Sequence, residues 1–333
     1  MARVFIEGFE AGDLGLWEYN AYNYLVGSAI TGSYMLYVPQ ASTGYGGSDR
    51  TRKNVPSSNT YYASFHLRQV LAQSTWRSIF FFGLDGNDQC SLALGDGTNY
   101  RLAFVRGTTA VVSGSKSLLP SVDYHIQIYA YIHDSAGRFV VKVDGLIDID
   151  YTGDTKNLSS DQINQVGFGA MNGGSGGCFR GYVDNFVLDN AAYPGQSFIA
   201  GIMPNGAGYS TQWTPSAGSN YACVDEVPPS DADYVYTNTV GNVDTYALSD
   251  LPGTAVAVKA VQVQARARKE GVATPQNLDL AVRTTGGDYF SADKVLSTSF
   301  VSLSHLWETN PGTAAAWTVS EVNAMEAGVK AAA

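Results

Sequence analysis

The sequence predicts an all-β protein built from two antiparallel β-sandwich domains and one short helix near the C-terminus. Three observations lead to this fold class. Only 15% of the residues are charged, and the chain is rich in Gly (36) and Tyr (21), a composition typical of sheets. Short apolar runs alternate with turn signals such as Asp85 with Gly86 and Asp144 with Gly145. Finally, a chain of 333 residues is long for a single hydrophobic core, which favours two domains.

The first domain is expected over residues 1–190 as a series of short strands. Residues 3–7 begin the series, residues 61–70 alternate apolar with polar side chains, and the continuous apolar run 79–82 predicts a central buried strand. The clearest pair of strands flanks a turn at 134–137, with one apolar face made of Ile126, Ile128, Ala130 and Ile132, then Phe139, Val141 and Val143. A second sheet must cover such a hairpin, which predicts a sandwich.

The second domain is expected over residues 196–333, after a turn-rich boundary at 190–196. Val261, Val263, Ala265 and Ala267 alternate with polar residues and predict a half-buried strand. Val256 and Val258 lie in the opposite phase, which indicates a bulge or a crossing between sheets. A further strand is predicted where Leu278, Leu280 and Val282 alternate with polar or small residues.

The only predicted helix spans residues 318–327, after a turn at 310–312. Thr318 and Glu321 have the spacing of a capping box, and the apolar residues Val319, Val322 and Met325 share one helical face. Gly328 is expected to end the helix in the left-handed conformation. The Ala-rich residues 330–333 are expected to fray.

Charge and cysteine usage exclude several classes of function. The net charge of −10 leaves no basic stripe for phosphate contacts, so nucleic acid is not an expected partner. Cys90, Cys178 and Cys223 fit neither a zinc site nor a disulfide framework and are expected to be reduced and buried. The N-terminus lacks a secretory signal, and no apolar run reaches the length of a membrane helix. Synthesis and folding in a cytoplasm, without membrane insertion, are therefore expected.

Three segments of the first domain resemble the concanavalin A-like and laminin G-like jelly-roll superfamily. Residues 8–12 leading to Trp17 resemble its first strand and the following loop, residues 124–145 its penultimate hairpin, and residues 182–189 its closing strand. The resemblance implies a jelly roll whose closing strand pairs beside the first. It also implies one calcium ion, held by Glu7 or Glu10 together with Asp184, with help from backbone carbonyls. Alternatively, Asp184 caps the turn around Asn185 and binds nothing.

Four blocks of the second domain resemble a structural β-sandwich domain of tailed bacteriophages. They are residues 204–208 before Trp213, residues 224–234, the long alternating strand 256–268 and the closing block 307–328. The resemblance brings no catalytic residues. It implies a virion protein made in the host bacterial cytoplasm, exposed on the particle exterior, and assembled as a homo-oligomer with other virion proteins.

Aromatic and acidic residues are the remaining candidates for a site. Trp17, Tyr19, Tyr22 and Tyr24 cluster in a loop-like region, where exposed rings could stack on sugars or instead fill a core or a subunit interface. A hydrolase on this fold requires paired carboxylates. The chain has no Glu-x-Asp-x-Glu string, and its nearest acidic pair, Asp148 with Asp150 between Asp144 and Asp154, is also compatible with a solvated sheet face. The four histidines fit no metal spacing.

The sequence thus predicts a non-enzymatic component of a phage particle that displays a lectin-like domain. A head decoration or fibre, a collar piece and a tail fibre all fit this prediction. The first alternative is a carbohydrate-binding module that recognises a glycan on the host surface. The second alternative is a polysaccharide hydrolase.

Overall fold

The computed structural model describes residues 3–39, 50–70, 76–95, 99–170, 179–271 and 275–333. Strands make up 53% of the structure and helix 3%. The predicted all-β fold class with several antiparallel sheets and one short helix is therefore confirmed. Two compact units are present, Met1–Glu10 with Trp17–Ile199 and Ala11–Leu16 with Ala200–Ala333. Residues 191–199, beyond the end of the predicted first domain, belong to the first unit.

The first unit contains fifteen strands within its described residues. They are β1 (Arg3–Glu7), β2 (Tyr19–Asn20), β3 (Tyr24–Gly27), β4 (Tyr34–Val38), β5 (Arg50–Ser58), β6 (Thr60–Gln69), β7 (Arg77–Leu84), β8 (Asn87–Gly95), β9 (Arg101–Arg106), β10 (Thr109–Ser113), β11 (Asp123–Tyr131), β12 (Gly137–Val143), β13 (Leu146–Gly153), β14 (Ile163–Gly169) and β15 (Gly181–Asp189).

These strands form two antiparallel sheets that face each other across an aromatic core. The eight-stranded sheet has the order β13-β12-β11-β6-β15-β4-β3, with β1 paired to β15, and the seven-stranded sheet has the order β10-β9-β8-β7-β14-β5-β2. Rings from the two sheets meet in the core, as Phe104 does with Phe139 at 4.4 Å and Phe65 with Phe80 at 5.6 Å between centroids. The first unit is therefore a β-sandwich.

Several predicted elements of the first unit are confirmed by their pairing. β11 and β12 form the predicted hairpin, and its apolar positions face the core. β15 pairs beside β1, as the jelly-roll resemblance implies. The apolar run 79–82 lies in β7, the fourth of seven strands, where both faces of the strand are buried.

The second unit contains the remaining elements. They are β16 (Pro204–Thr211), β17 (Thr214–Pro215), a 3₁₀ turn (Asn220–Cys223), β18 (Val235–Tyr236), β19 (Val243–Leu248), β20 (Val261–Ala267), β21 (Asn277–Thr284), β22 (Gly287–Phe290), β23 (Lys294–Val295), β24 (Val301–Trp307), β25 (Thr309–Asn310), β26 (Ala315–Ala316), α1 (Val319–Ala324) and β27 (Glu326–Ala332). A six-stranded sheet, β16-β19-β27-β21-β22 with β23 on β21, shares a core with the β20–β24 pair.

The prediction of a bulge or a crossing between sheets before β20 is wrong, because residues 255–260 form no strand. β20 begins at Val261, and Val256 is 94% exposed in a segment without strand pairing. The alternation of Val256 and Val258 is therefore not that of a strand, because no neighbouring strand supplies hydrogen bonds to this segment. The strand predicted around Leu278, Leu280 and Val282 is confirmed as β21, and these side chains are buried.

The end of the chain combines a confirmed cap with two corrections. Thr318 accepts from the backbone N–H of Glu321, whose carboxylate accepts from the backbone N–H of Thr318, so the capping box is present. The helix ends at Ala324 and the chain continues directly into β27, so Gly328 lies in a strand and is not a left-handed stop. Residues 330–332 do not fray, because β27 lies between β19 and β21 and pairs with both.

Cys90 and Cys223 are buried free thiols as predicted, whereas Cys178 lies outside the described residues. Among the helices in the described part of the chain, none combines the length and apolar character required to cross a membrane.

Candidate functional site

The eight-stranded sheet of the first unit carries polar and aromatic side chains on the side opposite the core. We call this surface the outer face. Along β6, the apolar side chains of Tyr61, Ala63, Phe65 and Leu67 point into the core, so the intervening residues point outward. The same alternation applies to β11 and β12, and it applies to β15 on each side of a register shift between Asp184 and Val187. The outer face therefore presents one set of side chains from each of four neighbouring strands.

The centre of the outer face is a polar cluster formed by Ser64, His66, His125 and Gln127. Antiparallel pairing of β6 with β11 places His66 opposite His125 and Ser64 opposite Gln127. Ser64 Oγ lies 2.7 Å from His125 Nε2. The ring centroids of His66 and His125 are 5.1 Å apart. All four residues are buried.

Several nitrogen atoms in the polar cluster are buried without a hydrogen-bond partner among the described residues. They are both ring nitrogens of His66 and the side-chain Nε2 of Gln127. A buried donor or acceptor that is left unpaired destabilises the folded state by about 1–3 kcal/mol. In native proteins most such atoms are paired with protein groups, ordered water or a bound ligand.

His66 is a neutral group at physiological pH. Burial, with a further contribution from the neighbouring His125, lowers the pKa of His66 to about 4. A neutral imidazole offers one nitrogen donor and one nitrogen acceptor. His66 can therefore both donate to and accept from the hydroxyl groups of a ligand.

A tyrosine cluster lies at one end of the outer face. Tyr24, Tyr37 and Tyr182 come from the adjacent strands β3, β4 and β15, with ring centroids 5.0 and 5.1 Å apart. Arg180 Nε donates to Tyr37 Oη at 2.9 Å. Tyr24 is 52% exposed. Exposed tyrosine rings of this kind provide a flat apolar surface with a polar tip.

A second tyrosine cluster lies at the other end of the outer face. Tyr62 of β6 stacks on Tyr129 of β11 at 4.7 Å, and Tyr193 contacts Tyr62 edge-on at 5.1 Å. Lys142 Nζ of β12 lies 3.9 Å from the centre of the Tyr193 ring, a cation–π contact.

Residues 193–199, which we call the covering segment, lie over the polar cluster. Phe198 stacks on His66 at 5.1 Å with an angle of 16° between the rings, yet it remains 58% exposed. The carbonyl oxygen of Gly195 lies 3.5 Å from Ser64 Oγ, and Ile199 N–H donates to Asn185 Oδ1 at 2.6 Å. These contacts bury the polar cluster without supplying partners to His66 or to Gln127 Nε2.

The two tyrosine clusters are separated by the length of a short oligosaccharide. Tyr182 pairs with Arg68, and Tyr62 lies six residues before Arg68 on the same strand. At a rise of 3.2–3.4 Å per residue, this separation is about 20 Å. The outer face therefore combines two aromatic ends with a polar centre along one line.

The four aromatic residues predicted to bind sugar occupy different environments. Trp17 is buried among Phe5, Phe9 and Phe186, so it is a core residue and presents no ring to a ligand. Tyr19 belongs to the seven-stranded sheet, where it contacts two arginines. Tyr22 is 61% exposed but is not in a strand of the outer face. Of the four, the structure places Tyr24 on the outer face.

The carboxylates expected to bind calcium instead accept backbone N–H groups. Glu7 Oε1 accepts from Phe9 N–H at 2.8 Å, and the Glu10 carboxylate accepts from Ser33 N–H at 2.9 Å. The Asp184 carboxylate accepts from the N–H groups of Thr31 and Asn185 at 3.0 and 2.7 Å. Burial raises the pKa of Asp184 to about 7, although these amides lower it.

The negative charge of Glu10 contributes to the raised pKa of Asp184, so these two carboxylates lie near each other. Among the described residues there is no group of three or more His, Cys, Asp or Glu that could hold a metal ion. The site that the resemblance implies uses only two carboxylates together with backbone carbonyls, and it stays a prediction.

The acidic residues around β13 are already engaged. Asp150 forms an ion pair with Arg138 at 2.8 Å, and Asp148 accepts from the backbone N–H groups of Ser115 and Lys116. Asp144 and Asp154 pair with Lys116 and Arg106. Asp148 and Asp150 do not form a pair of free carboxylates of the kind that glycoside hydrolysis requires.

The sequence did not predict the polar cluster, although it indicated the positions of two of its residues. His66 and His125 occupy polar positions of two strands that the alternation predicts. The two strands are far apart in the chain, and their pairing as β6 with β11 cannot be derived from the periodicity of either one.

No protein-family model matches the sequence, and no curated protein matches it either. Solved structures with a similar fold include the alginate lyase Aly36B, 17% identical with a TM-score of 0.40 over 58% of this chain and 94% of the lyase. An endo-β-1,4-glucuronan lyase from the fungus Trichoderma reesei is 16% identical, with a TM-score of 0.41 over 57% and 96%. Domain 4 of AbnA, a GH43 arabinanase from Geobacillus stearothermophilus, is 13% identical, with a TM-score of 0.37 over 57% and 83%.

These comparisons correct two predictions. The predicted non-enzymatic phage particle component is wrong, because polysaccharide lyases and a domain of a glycoside hydrolase are among the similar structures. The prediction that the chain is not an enzyme is wrong for the same reason. The sequence lacks the paired carboxylates that a glycoside hydrolase uses. Other cleavage reactions use His or Tyr as the proton acceptor. At these identities the likeness concerns the fold, so the proposals below rest on the outer face itself.

Proposed function

We propose that the first unit binds a polysaccharide along the outer face of its eight-stranded sheet. The observation that carries this proposal is the set of buried, unpartnered nitrogen atoms of His66 and Gln127 between two tyrosine clusters. Sugar rings have apolar faces that stack on tyrosine and hydroxyl groups that exchange hydrogen bonds with imidazole and amide groups. A linear glycan therefore satisfies both features of the surface at once.

The covering segment is part of this proposal, because it occupies the position that a bound sugar would take. The Phe198 ring stacks on His66 as a sugar face would, and Gly195 offers its carbonyl oxygen to Ser64. The segment leaves the His66 and Gln127 nitrogens unpaired, whereas glycan hydroxyl groups can pair with them. A bound glycan gains these hydrogen bonds when it displaces Phe198 and Gly195 from the polar cluster.

The first prediction concerns Tyr24, the most exposed ring of the tyrosine clusters. Tyr24→Ala is expected to weaken binding to the preferred polysaccharide by about 2- to 10-fold, the equivalent of one lost ring contact. Tyr22→Ala is the matched control, since Tyr22 is similarly exposed but is not in a strand of the outer face. A panel of purified neutral and acidic polysaccharides, measured by affinity electrophoresis and titration calorimetry, identifies the ligand. Lack of binding to every polymer at millimolar sugar concentration would exclude the proposal.

A second candidate function is cleavage of the bound polysaccharide. It is favoured by the position of His66, a neutral imidazole with unpaired ring nitrogens at the centre of the outer face. A pKa of about 4 makes this imidazole a weak base, so cleavage requires that the bound substrate raise the pKa of His66. The test is incubation with the polysaccharides that bind, followed by measurement of new chain ends. A loss of cleavage in His66→Ala that is larger than its loss of binding would support this function. Unchanged chain length with the wild-type protein would rule it out.

A further inference from the structure

We propose that Lys142 and Gln127 recognise the carboxylate of a uronic acid, so that the polysaccharide bound by the outer face is a polyuronate. This inference rests on the proposed glycan binding and specifies its substrate class. It depends on two donors that lie next to each other on adjacent strands and lack an anionic partner.

The first step is the geometry of the two side chains. Gln127 of β11 and Lys142 of β12 are directly opposite in the antiparallel register. Both point to the outer face, because their neighbours Ile126, Ile128 and Val141 point into the core. Side chains directly opposite on antiparallel strands have Cβ atoms about 4.5–5.5 Å apart. The amide and the ammonium group can therefore reach the two oxygen atoms of one carboxylate.

The second step is the state of each donor. Gln127 is 6% exposed, and its Nε2 has no partner among the described residues. Lys142 Nζ contacts the Tyr193 ring, and it forms no ion pair within the described part of the chain. A carboxylate would give the amide its missing acceptor and the ammonium group a full counter-charge, which a neutral hydroxyl group cannot do.

Ion pairing neutralises the carboxylates around Lys142. The charged groups on the outer face include two closed pairs, Arg138 with Asp150 and Arg68 with Asp123. Asp144, at the end of the hairpin, pairs with Lys116. These carboxylates are neutralised by their partners, so Lys142 is a local positive charge in a chain whose net charge is −10.

The experiment compares polymers that differ only in the carboxylate. Alginate and polygalacturonate are each tested against the same polymer after chemical reduction of its carboxyl groups, with dextran sulfate as a control for unspecific attraction of polyanions. The wild-type protein is expected to bind at least one polyuronate about tenfold more tightly than its reduced form. Equal binding of the two forms would overturn the uronate inference and leave the proposed glycan binding intact. Binding of neither form nor of any other glycan would remove both.

Substitutions of Lys142 and Gln127 test whether these residues distinguish the polyuronate from its carboxyl-reduced form. Lys142→Met and Gln127→Leu are each expected to lose most of the preference for the carboxylated polymer, and Lys142→Arg is expected to retain it. Lys156→Met is the matched control, because Lys156 is paired with Asp134 outside the outer face. Circular dichroism and thermal melting verify that each variant folds. If Lys142→Met and Lys142→Arg discriminate as well as the wild type, Lys142 does not contact the carboxylate and the inference is wrong.

Discussion

Gly328 allows the strands β27 and β19 to approach closely because it has no side chain. It lies in β27, where an added Cβ would be 2.0 Å from the backbone oxygen of Asp244 in β19. Real Cβ contacts are never this short, so the strands must separate if any side chain is present. The glycine therefore serves close packing at the centre of the six-stranded sheet rather than termination of the helix before it.

The corresponding prediction is that Gly328→Ala destabilises the second unit by about 1–3 kcal/mol, the usual cost of overpacking. Gly253→Ala is the matched control, since nothing lies within 4 Å of its added Cβ. Urea unfolding followed by tryptophan fluorescence measures both variants. A Gly328→Ala protein as stable as Gly253→Ala would contradict the close approach of β27 and β19.

At the scale of elements, the covering segment is the part of the first unit with the clearest consequence for function. Its ring contacts are the Phe198–His66 stack and the Tyr193 contacts with Tyr62 and Lys142. These interactions hold the segment on the outer face, while the unpaired nitrogens beneath it favour its replacement by a hydrogen-bonding ligand. Binding of glycan and docking of the segment are therefore expected to compete.

This competition predicts that Phe198→Ala increases glycan affinity. Loss of one ring stack weakens docking of the segment by about 0.5–1.5 kcal/mol, which corresponds to about 2- to 10-fold tighter binding. Leu146→Ala is the control, because Leu146 is also a large exposed apolar side chain of the first unit but lies outside the segment. Weaker binding by Phe198→Ala would show that the ring contacts the sugar directly, and the competition would then be refuted.

At the scale of the whole molecule, buried carboxyl groups occur in both units. Burial raises the pKa of Asp88 to about 8 and that of Asp184 to about 7. In the second unit, burial raises the pKa of Asp279, although its ion pair with Lys330 lowers it. These groups keep a proton in the folded state at pH values where the unfolded chain has lost it. His66 acts in the opposite direction, because its folded pKa is below its unfolded value of 6.5.

The pH dependence of stability follows from these shifts. The stability linked to Asp88 and Asp184 is full below about pH 4 and is lost as the pH rises towards 7 and 8. His66 lowers stability as the pH falls from 6.5 to 4, which offsets one of the two carboxyl groups in that range. The free energy of unfolding is therefore expected to fall between pH 5 and pH 8, by about 1.4 kcal/mol per pH unit for each uncompensated proton.

Denaturant unfolding at pH 5, 6.5 and 8 measures this profile. Asp88→Asn removes the titrating group with little change of shape, so its profile is expected to be flatter than that of the wild type. The same slope in both proteins would mean that Asp88 does not titrate over this range.

Local patterns predicted elements of both units, because strand periodicity, turn chemistry and helix caps depend on neighbours in the sequence. The hairpin of β11 and β12 and the capping box at Thr318 are examples, and both are present. The sequence left both sugar binding and core packing open for Trp17, because an aromatic residue in a loop-like segment is compatible with either, and only packing places it in the core. The phage resemblance likewise concerned short blocks and did not determine the function.

The sequence by itself determined the all-β class, the main core strands and the cap of the single α-helix within the described residues, since alternation and hydrogen-bonding side chains act over a few positions. The tertiary structure decided where the polar side chains meet. Antiparallel pairing of β6 with β11 and of β11 with β12 brings Ser64, His66, His125, Gln127 and Lys142 together. The register of strands distant in the chain depends on the whole core, and a slip of one residue would turn this set of side chains to the opposite face of the sheet.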